Sequence, residues 1–237
     1  MNNKNNHLLS ISIIISAIMI SGSIIYSAGI KDINKEIQVA DVQKAITGSG
    51  IPEIDDDVVL GNPEAPITFF VFSDYQCPFS GKFFKETELQ IRENYVEAGK
   101  VKMVFKDLAF LGPESIAAAQ AAECARDQGK YWAFHDAIFN IEIKEMETLG
   151  NNEYTENLNQ QTFEKIASDL NMNIEDFKIC FESQKYADEV KKDTEEAKAL
   201  MGDYVSTPTI FVNENIIQGA YPYETFSSLI EETLNKN

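Results

Sequence analysis

Of the three cysteines in this chain, Cys77 is the one whose surroundings favour reaction. It follows Ile67-Thr68-Phe69-Phe70-Val71-Phe72, a short apolar run rich in β-branched and aromatic residues, which suits a strand buried on both faces. Ser73-Asp74-Tyr75-Gln76 stops the strand, and Pro78 opens a helical pattern. Proline has the φ wanted at the first helical position and gives up no useful N–H there. The sulfur would then sit at a helix mouth, facing unpaired backbone donors and the positive end of the dipole. Both favour the thiolate, which is the attacking species. The bland alternative is a small buried hydrophobe, the common fate of a lone cysteine. Placement at a helix start, after a strand and before a proline, argues for the reactive reading.

Little else invites chemistry. The cysteines lie more than forty residues apart and the only histidines are His7 and His135, so a zinc finger or thiolate cluster is excluded and no metal or other cofactor is expected. Asp55-Asp56-Asp57 lacks the spacing of a calcium loop and reads as a solvated run. His135 follows Trp132 on a helical stretch and reads as a core or capping residue. The formal charge is −18, which leaves nothing to neutralise nucleic-acid phosphates or to dock a basic patch on anionic lipid. With 237 residues, 44% hydrophobic and 11% aromatic, the chain can bury the core of one domain with extras.

These residues need a scaffold. After Cys77-Pro78, the positions Phe84, Thr87, Ile91 and Tyr95 recur at helical spacing and Gly99 ends the helix. Val101 to Phe105 is a second strand, so strand, helix and strand form a right-handed βαβ unit with a parallel pair. Helices follow over Ser115 to Arg126, Tyr131 to Asn140, Thr162 to Leu170, Ile174 to Phe181 and Tyr186 to Met201, with a polar loop at Asn151 to Gln161. Thr207 to Val212, Asn213-Glu214-Asn215 and Ile216 to Gly219 read as strand, turn, strand. Phe226, Leu229, Ile230 and Leu234 stripe a closing helix. The class is α/β, a mixed sheet with an inserted helical domain.

The N-terminus speaks to the compartment. No side chain of certain charge lies between Lys4 and Lys31, and a helix over Leu8 to Ile30 would be long enough to cross a bilayer. Residues 1–30 are either an uncleaved membrane anchor or a signal peptide cleaved near Ser21-Gly22-Ser23; the length of the apolar run favours the anchor. Either delivers the remainder to an oxidising side of a membrane. Residues 31–57 read as a tether with a short helix around Asn34 to Ile46, followed by parts 58–106, 107–202 and 203–237.

Ser73-Asp74-Tyr75-Gln76-Cys77-Pro78-Phe79-Ser80 resembles the active-site segment of DsbA-like thiol–disulfide oxidoreductases, which have a thioredoxin-like fold with a helical insertion. The resemblance extends to Val59 to Thr68, to Ala121-Ala122-Glu123-Cys124-Ala125 with Gln128 to Trp132 and His135-Asp136, and to Thr207 to Asn213, covering about residues 57 to 234. It implies a catalytic Cys77, supported by Pro78 and Phe79, and protein substrates with cysteines or disulfides. It implies a cis Thr207-Pro208 bond beside Cys77, which on residues alone reads equally as an edge-strand proline. The backbone of Thr207 would then pair with an extended substrate. It also implies a structural disulfide between Cys124 and Cys180, contributing roughly 3–4 kcal/mol through loop closure, the alternative being two reduced core cysteines.

Two departures bear on mechanism. Ser80 stands where the family usually has a second cysteine, and Val71 where many members have a buried glutamate. A thiolate at Cys77 still attacks a disulfide, but Ser80 cannot expel the resulting mixed disulfide. Release then falls to a second substrate thiol, a small external thiol or a redox partner. The Ser80 hydroxyl remains able to donate a hydrogen bond to the sulfur. Two other readings stay open: a redox-inert chaperone or adaptor that binds extended peptides, and a kappa-type glutathione transferase working through Ser80.

Overall fold

The computed structural model describes residues 50–149 and 157–236. The Leu8 to Ile30 segment, the Asn34 to Ile46 helix and much of the polar stretch after Gly150 lie outside them. No helix among the described residues is long and apolar enough to cross a membrane.

The first strand, β1 (Ile67–Ser73), is central because both its faces are covered. Ile67, Phe69 and Val71 join one core cluster with Phe83, Ile91 and Phe226, while Phe70 and Phe72 face Leu200, Met201 and Phe211 in another. That two-sided burial explains why the run is continuously apolar instead of alternating. Helix α1 starts as Pro78–Phe83 and continues to residue 96. The expected stripe of Phe84, Thr87, Ile91 and Tyr95 is buried, but the helix is not regular: Phe84–Glu88 and Arg92–Val96 are wider π turns. Gly99 ends it with φ 70°, a left-handed value that glycine takes without strain, and Lys100 N–H closes back on Tyr95 O at 3.0 Å.

Strand β2 (Val101–Asp107) pairs parallel with β1, Ser73 lying opposite Asp107. Five helices follow: α2 (Pro113–Arg126), α3 (Tyr131–Leu149), α4 (Gln160–Asp169), α5 (Ile174–Glu182) and α6 (Ala187–Met201). α3 runs nine residues past the predicted Asn140. α4 and α5 are capped by Asn159 and Asn173, whose side chains accept N–H groups of the first turn. Strand β3 (Thr209–Val212) returns antiparallel to β1 and turns at Asn213-Glu214 into β4 (Asn215–Gln218). Helix α7 (Tyr223–Leu234) closes on β1 through Phe226, 5.8 Å from Phe69 between ring centroids. The sheet order is β2-β1-β3-β4, mixed, with the helical block between β2 and β3 in sequence.

Candidate active site

β1 must hand over to α1 in four residues, and side chains of that turn tie it down on every side. Asp74 is buried and accepts backbone N–H groups from Gln76 (2.9 Å), Phe110 (3.0 Å) and Leu111 (3.1 Å). Burial raises its carboxyl from the ordinary range, against the pull of those donors and of Ser115. Gln76 reaches the start of α2: its Oε1 accepts Ser115 N–H (3.0 Å) and Oγ–H (2.9 Å), and its Nε2 donates to Glu114 (2.8 Å). Tyr75 points into the core, where its hydroxyl meets His135 Nδ1 at 3.0 Å. The sequence places these three in a strand stop and in the active-site-like segment but assigns none of them a role of its own. Their polarity inside an obligatory tight connection was the available signal.

Cys77 is the N-cap of α1, with extended backbone (φ −76°, ψ 121°) and Pro78 at the first helical position. Its N–H donates to Asp74 O (3.0 Å) and its carbonyl accepts Gly81 N–H (3.0 Å). Cys77 is largely buried, 9% exposed, while neighbouring Phe79 is 61% exposed. The peptide bond between Thr207 and Pro208 is cis, and the thiol donates to Thr207 O at 3.4 Å. Thus residues 130 positions apart form one site. Ser80 is fully buried. The sequence leaves its hydroxyl able to donate to the sulfur; in the fold the hydroxyl meets Thr207 Oγ1 at 3.1 Å, on the cis-proline loop. Concave surface flanks the motif on both sides: about 600 Å³ lined by Gln76, Leu111, Pro113 and Leu158, and about 330 Å³ lined by Phe79, Lys82, Ile143 and Met146.

Cys124 on α2 and Cys180 on α5 are disulfide-bonded, with Cα atoms 5.8 Å apart, and Cys77 is the free thiol. His135 is fully buried among aromatic rings. The solvated reading of the acidic triplet needs correction. Asp55 and Asp57 are docked on Lys106, a fully buried β2 side chain whose ammonium lies 2.9 and 2.8 Å from them and 3.2 Å from both Asp193 and Glu196. The physical reason is that a buried ammonium requires counter-charges, and α6 alone does not surround it. Burial, with Asp55 alongside, pushes Asp57 up to about 8; for Asp55 burial is outweighed by its bonds to Asp57, Lys192 and Lys106, which hold it below the usual carboxylate range. Asp55, Asp57 and Asp193 are close enough together to hold a metal ion, but Lys106 already supplies a cation to all three.

Residues 53–232 match the thioredoxin family profile. The chain is 26% identical over 240 residues to the probable disulfide bond formation protein D of Bacillus anthracis, covering 98% of this chain and 99% of that protein. It is 28% identical over 188 residues to disulfide bond formation protein D of Bacillus subtilis, covering 78% and 81%. The crystal structure of oxidised BdbD from Bacillus subtilis superposes with a TM-score of 0.70 at 27% identity, over 79% of this chain and 98% of that one. A four-stranded mixed sheet, a cysteine at the mouth of its first helix, a cis-proline loop against that cysteine and these relatives agree: the chain belongs to the thioredoxin family, in its DsbA-like branch.

Proposed function

We propose that this DsbA-like thiol–disulfide oxidoreductase works through Cys77 alone, as a monothiol exchanger of protein disulfides on the extracytoplasmic side of a membrane. The observation that carries the reading is the buried Ser80, three residues after Cys77 and bonded to Thr207, at the place from which a resolving thiol would act. The Cys77 thiolate attacks a substrate disulfide, forming one mixed disulfide and releasing one substrate thiolate. A different thiolate on the same substrate then attacks the substrate sulfur of the mixed disulfide and frees Cys77, so the substrate's disulfide is rearranged with no net electron transfer. If small external thiols act instead, two are consumed: they leave joined as a disulfide and the substrate gains two electrons.

Thr207 presents its backbone beside the sulfur, where an extended polypeptide can pair with it, and the two concave flanks and exposed Phe79 offer apolar purchase for a protein substrate. The Cys124–Cys180 bridge and the apolar Leu8 to Ile30 run support an oxidising compartment reached by export, with the N-terminal segment as the membrane attachment or cleaved leader. Glutathione chemistry at Ser80 asks for an accessible hydroxyl, and this one is fully buried.

Mass counting of alkylated thiols tests the reading. One label, on Cys77, is expected on the native protein and three after reduction under denaturing conditions. A substrate disulfide offered to the native protein should leave a persistent adduct on Cys77. A Cys77→Ala variant that retains full activity on disulfide-containing clients would establish the redox-inert binder instead.

A further inference from the structure

Four side chains form a buried polar path beneath the catalytic turn. Tyr75, two residues before Cys77, meets His135 on α3 at 3.0 Å. His135 Nε2 lies 3.3 Å from Glu88 Oε1 on α1, though off the line of a good hydrogen bond. Glu88 is paired with Arg92, whose other arm reaches Asp136 at 2.7 Å and whose guanidinium lies 4.6 Å from the Trp132 ring centre. Tyr75, His135 and Glu88 are all shut off from solvent, walled by Phe84, Phe105 and Phe139. Polar groups in such a place persist when each has a partner.

The charges assign the roles. Burial opposes ionisation of Glu88, but Arg92 and His135 hold its carboxyl below the ordinary range, so a carboxylate faces Nε2. Nε2 therefore carries the imidazole proton, and Nδ1 is left as an acceptor for the Tyr75 hydroxyl. Burial keeps the ring neutral against the pull of Glu88 and Asp136, with Arg92 assisting. Around Tyr75 the remaining titratable groups are Tyr131, Asp107 and Glu123.

Resting on the reading of Cys77 as the exchanging nucleophile, we propose that His135 is a positioning residue: it holds the Tyr75 hydroxyl from below and so fixes the turn that presents the sulfur beside Thr207. Asp74 and Gln76 tie the turn sideways, to residues 110–111 and to α2. Tyr75 ties it downward, and through His135 to both the helical block and the very helix that Cys77 caps. Without His135 the Tyr75 hydroxyl would lose its acceptor and turn toward Tyr131, the other hydrogen-bonding group beside it, moving the turn and with it the sulfur.

The test is the rate of mixed-disulfide formation between Cys77 and a small aromatic disulfide whose leaving thiolate absorbs visible light, with urea unfolding measured in parallel. Tyr75→Phe keeps the ring and drops the hydroxyl; it should react about tenfold more slowly than the parent protein. His135→Leu should slow the reaction similarly, and the double variant should be no slower than either single one, since the two act as a unit. His135→Asn, which keeps an acceptor near the Nδ1 position, should restore most of the rate even where it lowers stability. Parent-like rates in Tyr75→Phe would overturn the inference, and so would slowing that simply multiplies in the double variant. Because Tyr75→Phe is nearly isosteric, the first outcome is readable even if His135→Leu does not fold. A parent protein inert to the probe would instead sink the nucleophile reading, and this inference with it.

Discussion

The proposed monothiol chemistry turns on the difference between a sulfur and an oxygen at residue 80. Cys77 and Ser80 both touch Thr207, the first through the carbonyl and the second through the hydroxyl, so the two side chains occupy one small space. Ser80→Cys would put a second thiol there at little change in volume. The expected outcome is a switch of mechanism: an adduct that persists on the parent protein should collapse into an intramolecular disulfide in the variant. Two measurements check this, the lifetime of the adduct by mass spectrometry and the number of free thiols after air oxidation, which should fall from one to none. An adduct of unchanged lifetime would mean that position 80 faces away from the exchanging sulfur.

At the scale of elements, the site depends on how the helical block is fastened. α2 holds Gln76 and carries Cys124, and the bridge to Cys180 joins it to α5 across 56 residues of sequence. Loop closure of that length corresponds to about 4 kcal/mol in the chain-entropy account. Replacing both cysteines by alanine should therefore lower the free energy of unfolding by about 4 kcal/mol. The reaction rate of Cys77 in the folded state should change little, because the turn is tied to α2 by hydrogen bonds and not by the bridge. Urea titration and the disulfide-probe rate, measured on the same variant, separate the two effects.

Across the described residues a recurring feature is the burial of carboxyl groups. Burial, reinforced by Asp107, pushes Glu123 up to about 10; burial, with Glu145 and Glu114, pushes Glu142 up to about 8; Asp57 stands at about 8 as well. Each folded value lies above the unfolded one, so the fold binds these protons more tightly. Their contribution is fully present below the unfolded carboxyl range and is lost as pH rises through 8 to 10. Groups held low, such as Glu88 and Asp127, lose theirs only in acid. From about pH 6 to about pH 9 the melting temperature should fall, and a net charge already at −18 adds self-repulsion in the same direction. Calorimetry across that window checks the sign, and Glu123→Gln should flatten the slope. A melting temperature that rises with pH would show that these carboxyls are already ionised in the fold.

Much of the scaffold, and the placement of Cys77 at a helix mouth, were legible in the linear order of residues. A continuous apolar run, a proline after a cysteine and a glycine at a helix end are local signals, because strand burial, helix entry and helix exit are decided by neighbours within a few residues. The missing thiol at position 80 is equally plain from the chain. The π turns of α1, the nine extra residues of α3 and the docking of Asp55 and Asp57 on Lys106 were not legible. Only the folded molecule brings His135 beneath Tyr75, 60 residues earlier, and sets Ser80 against Thr207 rather than against the sulfur. Periodicity says which face of an element turns inward; which group it meets there depends on register and packing between segments far apart in the chain, and that is settled in three dimensions.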